Sequence, residues 1–323
     1  MCGMRAIQAK EWGGPEVLVP VELPDPVPGP GEVLIDVAYA DTLYVETQVR
    51  SGWGRDYFPV TPPYVPGGGV SGTVTALGAD VPHSWLGHRV VSHVEGSYAS
   101  RALAPVSNLT PVPEELDLLT AAALVHDGVT AAGLIEVTGV TAGERVLILG
   151  ASGGMGTLLV QLTHAGGALV VGLARGAEKL ALVRELGADA TVDAGTPDWP
   201  ARARQALGGA ADVVLDGVGG ELGTAAFELT ASGGRFSAHG APSGHFAPID
   251  RTEAEKRDIR LFTINDVQFP AAELRRLTGY ALREAVTGRV RPVVGEVLPL
   301  ERAARAHGVI EERGVVGKVL LEC

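Results

Sequence analysis

Between Gly143 and Leu162 the chain reads GERVLILGASGGMGTLLVQL: an apolar run, a turn of small residues, and a second apolar run. Set between a strand and a helix, such a turn presents backbone N–H groups at the helix N-terminus. Missing side chains let a phosphate come close. Ala151, Gly153 and Gly156 fall at the three positions of a dinucleotide-binding fingerprint, with Ser152, Gly154 and Met155 between them. Ala151 replaces the usual first glycine, which requires that its φ stay negative. Gly153 would admit the pyrophosphate, and Gly156 would let the helix pack on the sheet. A tight α/β connection that binds nothing is the competing reading.

The end of the next apolar run, ALVVGLA, bears on the cofactor. Proteins that bind NADH place an acid about 20 residues on, where it holds the ribose hydroxyls. Here that neighbourhood holds Ala174, followed by Arg175 and then Lys179. A carboxylate would repel a 2′-phosphate, whereas Arg175 could pair with it in a two-pronged fork. The sequence therefore favours NADPH; two solvated surface cations are the plainer alternative.

Other groups are candidates by type and place. His126 could donate a proton, since imidazole titrates near neutrality. The adjacent Asp127 is better read as the cap of a helix starting near Gly128 than as a catalytic acid. His239 and Gly240 fall at the C-terminal end of a strand, where open α/β sheets bind ligands. Lys318 could reach a phosphate, although snorkelling at the surface is the simpler expectation. His83, His88, His93, His164, His245 and His307 lack metal-ligand spacing and read as surface or loop residues. The aromatic stretch WGRDYFP, Trp53 to Pro59, reads equally well as a lid over a flat substrate or as a buried loop anchor.

The elements that must position these groups follow from pattern. Up to about Leu103, short β-type runs (EVLIDVAY, VSGTVTALG, HRVVSHV, YASRALA) alternate with Gly/Pro punctuation, and PDPVPGPGE reads as an extended connector. Near Leu116 the character changes: LDLLTAAALVHDGVTAAGLIEV has helical spacing. Fully apolar strands then alternate with amphipathic helices, the mark of a parallel sheet covered on both faces. A last amphipathic helix, AAELRRLTGYALREAVTGRV, and a closing strand, GVVGKVLLEC, return to the first domain. The expected division is 1–121 with 266–323 as a mainly β domain, and 122–265 as a doubly wound α/β domain.

At 323 residues, two domains are the natural expectation. A net charge of −12 argues against nucleic acid or an anionic membrane as the main partner. No apolar run spans a bilayer, and MCGMRAIQAKEW lacks the blocks of a secretory signal, so a cytoplasmic protein is expected. The two cysteines, Cys2 and Cys323, offer no metal cluster or disulfide framework.

Taken in order, PGPGEVLIDV, YVETQVRSG, PPYVPGGGVSGTVTALG, GHRVV, GSYASRALAP, LTAAALVHDGVTA, GERVLILGASGGMGTLLVQL, KLALVRELGAD, ADVVLDGVGG and GVVGKVLL resemble the medium-chain dehydrogenase/reductase superfamily. The closer likeness is to its zinc-free quinone oxidoreductase branch. The resemblance covers nearly the whole length. It implies a GroES-like catalytic domain, a Rossmann domain and frequently a homodimer. It places Asp41 and Tyr44 on the segment bordering the nicotinamide and aligns Tyr64 with an active-site tyrosine. It also matches Thr130 to a threonine that approaches the cofactor. Tyr64 could donate to a developing oxyanion or simply pack its loop; Asp41 could merely turn the chain.

The resemblance also shows what is missing. Leu43, Gly68 and Asp127 align with the three catalytic-zinc positions of the zinc alcohol dehydrogenases, and one carboxylate cannot make a tetrahedral N/S site. Where relatives read Asn-Pro-x-(Asp/Glu)-x-Tyr, this chain reads LYVETQ, from Leu43 to Gln48. Without metal, hydride transfer needs an acceptor that is already electrophilic. The expected function is NADPH-dependent, metal-independent reduction of a quinone or an α,β-unsaturated carbonyl (enone). Alternatives are an enoyl reductase of acyl-thioester or polyketide intermediates, and an NADPH-binding structural or regulatory protein with vestigial activity. A zinc alcohol dehydrogenase is the remaining one.

Overall fold

The computed structural model describes residues 3–55 and 57–323; Cys2, and Asp56 of the aromatic stretch, lie outside the described residues. The chain forms two compact units: Met1–Val129 with Pro270–Val286 and Pro292–Cys323, and Thr130–Phe269 with Thr287–Arg291.

The first unit opens with β1 (Met4–Ala9) and β2 (Leu18–Leu23), an antiparallel pair, followed by β3 (Glu32–Asp41) and α1 (Tyr44–Arg50). It continues with β4 (Gly69–Leu77), β5 (Arg89–His93), β6 (Arg101–Pro105), β7 (Leu109–Pro111), α2 (Leu118–Ala122) and the start of α3 (Asp127–Thr138). Alternating burial along β3 puts Val33, Ile35 and Val37 into a core with Val70, Val74 and Val90.

The second unit carries β8 (Arg145–Leu149), α4 (Gly154–Ala165), β9 (Leu169–Ala174), α5 (Ala177–Glu185), β10 (Ala190–Asp193) and α6 (Trp199–Leu207). It continues with β11 (Ala211–Asp216), α7 (Gly220–Phe227), β12 (Thr230–Ala238), α8 (Arg251–Lys256) and β13 (Arg260–Thr263). All six strands are parallel in the order β10-β9-β8-β11-β12-β13. That is the doubly wound dinucleotide-binding order, which reverses direction between its first and fourth strands, here β8 and β11. Val146 to Leu149 are all buried because helices cover both faces.

The chain then returns to the first unit as α9 (Ala271–Val286), β14 (Val294–Pro299), α10 (Ala303–Glu311) and β15 (Lys318–Glu322). β15 lies antiparallel to β3, and with β14 it extends the larger sheet of that unit. Among the described residues no helix is long and apolar enough to cross a membrane.

One helical run of the sequence is broken in the structure. LDLLTAAALVHDGVTAAGLIEV forms α2 and α3, joined by turns over Ala123–His126. Leu124 N–H donates to Ala121 O and Val125 N–H to Ala122 O, tightening the chain. His126 and Asp127 therefore project to partners of their own instead of continuing one helical face.

Candidate functional site

In the second unit, β8 ends at Leu149 and the chain turns through Gly150, whose φ is +69°. Gly150 takes the left-handed conformation, so Ala151 keeps a negative φ and a glycine is not required there. Gly153 N–H donates to Gly150 O at 3.0 Å, and Gly153 caps α4. A Cβ on Gly156 would stand 2.1 Å from Gly150 O, so only glycine fits the helix onto this turn. A Cβ on Gly153 would meet only Gly150 O, at 3.4 Å, so there is room for a group to approach this glycine. The first turn of α4 holds no acid.

Ala151 N–H donates to Leu173 O at 3.0 Å, which ties the turn to the end of β9. Two residues later comes Arg175, exposed and without a hydrogen-bond or ion-pair partner among the described residues. Lys179 lies half-buried on α5 and is already engaged. A nearby acid escaped the sequence reading: Asp193 at the end of β10 pairs in register with Ala174, though its carboxylate accepts from Gly195 N–H at 2.8 Å.

Across the strand-order reversal, β11 ends at Asp216 and β12 at Ala238. His239 follows, buried, with Nδ1 3.1 Å from Ser237 Oγ and Nε2 unpartnered. Burial lowers its pKa to about 4, leaving a neutral imidazole with one free ring nitrogen. Gly240 packs so closely on Gly217 that an added Cβ would be 2.3 Å from its carbonyl oxygen. The buried Asp216 accepts from Val218 and Gly219 N–H, each at 2.9 Å, and burial raises its pKa to about 6. Its other oxygen faces Gly223 on α7. The open face at Gly153, the acid-free helix start and the unpartnered His239 Nε2 fit a dinucleotide lying along this edge. Ser152 is buried in the turn, Gly154 and Met155 are half-buried in the first turn of α4, and Thr130 is half-buried in the first turn of α3.

The first unit carries a buried polar cluster. Register explains it: Leu320 of β15 pairs with Asp41 of β3, so Lys318, two residues earlier, lies diagonal to Asp41 on the same face. Lys318 Nζ is 2.5 Å from Asp41 Oδ1 and 3.0 Å from Asp127 Oδ2, and Asp41 Oδ2 is 2.8 Å from His126 Nδ1. Burial alone would raise the Asp41 carboxyl, but Lys318 and the hydrogen bond from His126 outweigh it and hold the group below its usual range. Burial raises Asp127; Lys318 opposes it and the Asp41 charge reinforces it. Lys318 is raised, because Asp127 and Asp41 more than offset its desolvation. His93 meets the His126 ring edge-on at 4.5 Å between centroids, and burial lowers its pKa to about 4.

Three expectations need correction here. Lys318 does not snorkel: its side chain is 5% exposed, because two carboxylates pull it inward. Asp127, expected as a helix cap, spends its side chain on Lys318. His307 is no surface histidine; it is fully buried beneath Arg50 and Tyr98, and His93 is half-buried with its ring against His126.

Tyr64 and Tyr44 belong to different surroundings. Tyr64 pairs with Ala9 through the backbone and sets its ring 6.1 Å from Trp12; burial, then the Glu46 charge, raises its hydroxyl to about 12. Tyr44 opens α1, two residues before Glu46. In the aromatic stretch Arg55 lies over the Trp12 ring, and Tyr57 stands 80% exposed.

Sequence reasoning also missed a second network. Arg50, 1% exposed, donates to Gly13 O, pairs with Glu311 and meets His307 Nδ1 at 3.4 Å. Because that nitrogen accepts, His307 Nε2 carries the proton and donates to Tyr98 Oη, 3.0 Å away. Tyr98 in turn donates to Glu46 Oε2 at 2.5 Å, which also accepts from Leu43 N–H at 2.9 Å. Burial raises Glu46 to about 7.

Residues 29–114 match the family "alcohol dehydrogenase GroES-like domain", and residues 154–275 match "zinc-binding dehydrogenase". Quinone oxidoreductase of Mus musculus is 32% identical over 98% of this chain and 97% of its own. The chain belongs to the medium-chain dehydrogenase/reductase superfamily, in its quinone oxidoreductase-like branch. It is an oxidoreductase. Another relative, 2-haloacrylate reductase of a Burkholderia species, is 30% identical over 96% of both chains. A mycobacterial protein solved in complex with NADPH superposes with a TM-score of 0.91, at 32% identity over 99% of this chain and 100% of that one.

The zinc in the family's description does not fit this oxidoreductase. Of the three positions that the resemblance aligns with zinc ligands, Leu43 and Gly68 offer no donor side chain, and Asp127 already pairs with an ammonium. Among the described residues no three His, Cys, Asp or Glu side chains group as a metal site.

Proposed function

We propose that this oxidoreductase uses NADPH to reduce conjugated acceptors, quinones or α,β-unsaturated carbonyls, without a metal ion. The observation that carries the reading is the hydrogen bond from Ala151 to Leu173. It brings an acid-free phosphate turn and the unpaired Arg175 to one edge of the sheet. The names of the mouse and Burkholderia relatives support the two acceptor classes, and the mycobacterial complex supports the cofactor.

Bound NADPH supplies hydride to an electron-poor carbon. The chain's own residues do the rest. N–H groups of Gly154, Met155 and Gly156 at the start of α4 face the pyrophosphate, with Ser152 and Gly153 shaping the turn. Arg175 pairs with the 2′-phosphate, supported by Lys179. His239 Nε2 bonds the nicotinamide end, where Gly240 keeps the backbone close and Thr130 adds a hydroxyl. In the first unit, His126 supplies the proton that the reduced oxygen or its adjacent carbon requires, and Asp41 holds His126. Tyr44 and Tyr64 line the substrate side and set which ring or chain enters.

Stopped-flow NADPH oxidation with 1,4-quinones, simple enones and enoyl thioesters tests the reading. Rapid consumption with quinones or enones supports it. Consumption with enoyl thioesters alone moves the substrate to acyl chains. Tight binding with no turnover across all three leaves a cofactor-binding protein in place of a reductase.

A further inference from the structure

In the first unit one buried ammonium, that of Lys318, meets two buried carboxylates. From that cluster we infer that Lys318 is the resident cation of the reductive site, pairing with Asp41 and Asp127 and thereby fixing His126 as the proton donor. The inference rests on the reductase reading above and deepens it.

The geometry runs in one direction. Lys318 Nζ bridges two carboxylates from different elements, the end of β3 and the first residue of α3. Without the ammonium, two buried acids would face each other and one would take up a proton. With it, Asp41 stays an anion whose second oxygen can only accept, so the 2.8 Å contact requires a proton on His126 Nδ1. The other nitrogen, Nε2, is then the one that gives and regains a proton. His126 is the member of the cluster that reaches the surface of its unit, with its side chain 22% exposed against 5% for Lys318 and 1% for Asp41.

Neighbours keep the ring in place. Its Nε2 edge lies over Gly68, where a Cβ would come within 3.2 Å. His93 of β5 stacks edge-on and stays neutral, so it adds no competing charge. The titratable groups acting on His126 are Asp41, His93, Asp127 and Glu46, with Lys318 acting through Asp41. The proton balance closes. Hydride from NADPH breaks the acceptor's π bond, and the electron pair moves to the conjugated oxygen. A proton carried on Nε2 passes to that oxygen or to the adjacent carbon, and solvent returns one to Nε2. Lys318 touches none of the reacting atoms and is a positioning residue.

The test compares wild type, Lys318→Met, Lys318→Arg and His126→Gln. Turnover with a 1,4-quinone, NADPH affinity and the 15N NMR signals of the imidazole are followed; His126→Gln assigns the His126 signals. Lys318→Met is expected to lower kcat about 10- to 100-fold with NADPH affinity unchanged, to abolish the Nδ1–H signature, and to be partly rescued by Lys318→Arg. A kcat within about two-fold of wild type, with the His126 signals unmoved, overturns the inference. Should Lys318→Met not fold, a wild-type pH series decides: a His126 without a proton on Nδ1 overturns the inference, and an Nδ1–H that persists while Nε2 takes up and releases its proton supports it. A wild type that consumes no NADPH with any acceptor overturns the reductase reading itself, and that failure is distinguishable because the tautomer is read without turnover.

Discussion

Ala151 N–H donates to Leu173 O at 3.0 Å, so the phosphate turn and the residue that follows β9 are built as one edge. Arg175 lies two residues beyond the acceptor carbonyl and is exposed. Arg175→Ala is therefore expected to weaken NADPH about 10-fold while leaving NADH nearly unchanged, and Arg175→Asp is expected to reverse the preference. Fluorescence titration with both nucleotides reads the outcome; an equal effect on both would remove the 2′-phosphate from Arg175.

The glycines of the turn separate folding from binding. Gly156→Ala places a carbon 2.1 Å from Gly150 O and is expected to cost about 1–3 kcal/mol or more of stability. Gly153→Val leaves the backbone room it needs but fills the open face. Loss of a favoured N-cap residue is expected to cost about 1 kcal/mol, less than at Gly156, while NADPH affinity is lost. Thermal melts with and without the nucleotide check the pair.

Glu46 gives a pH dependence with a definite sign. Its folded-state pKa is raised to about 7, above the unfolded value near 4.3, so folding favours the protonated form. Its contribution is fully present below the unfolded pKa and is lost as pH rises through about 7. Glu46→Gln keeps an acceptor for Tyr98 and Leu43 without the charge. It is expected to flatten this loss and to stabilise the protein at pH 8, by about 1–3 kcal/mol. Urea titrations of both proteins at pH 5 and pH 8 measure it; parallel losses in the two would refute it.

Tyr98→Phe should act in the opposite sense. It strands the Nε2 proton of His307 and removes a donor from Glu46, and a loss of about 1–3 kcal/mol is expected in denaturant titration.

Much of the second unit is legible in the sequence because its signals are local. The strands β8 to β12, the turn at Ala151–Gly156 and the missing acid before Arg175 all lie within short stretches, whereas β13, the short run RLFT, falls where the alternating pattern ends. The question raised by Ala151 is answered one residue upstream, at Gly150, which local pattern alone does not single out. The first unit is less legible because its chemistry is assembled from distant segments. Asp41 and Lys318 are joined only by the antiparallel pairing of β3 with β15, and a lone lysine in a strand reads as a surface charge until its neighbour is known. His307 misleads for the same reason, since Arg50 and Tyr98 come from other parts of the chain. The helical spacing around His126 conceals the turn that frees its ring.

Turnover of metal-stripped protein tests the central claim most directly. The enzyme is dialysed against a strong chelator, its metal content is checked, and NADPH oxidation with a 1,4-quinone is measured before and after zinc is returned. Undiminished turnover in the stripped protein, unchanged by zinc, is the expected result. Turnover that disappears on stripping and returns with stoichiometric zinc would contradict it.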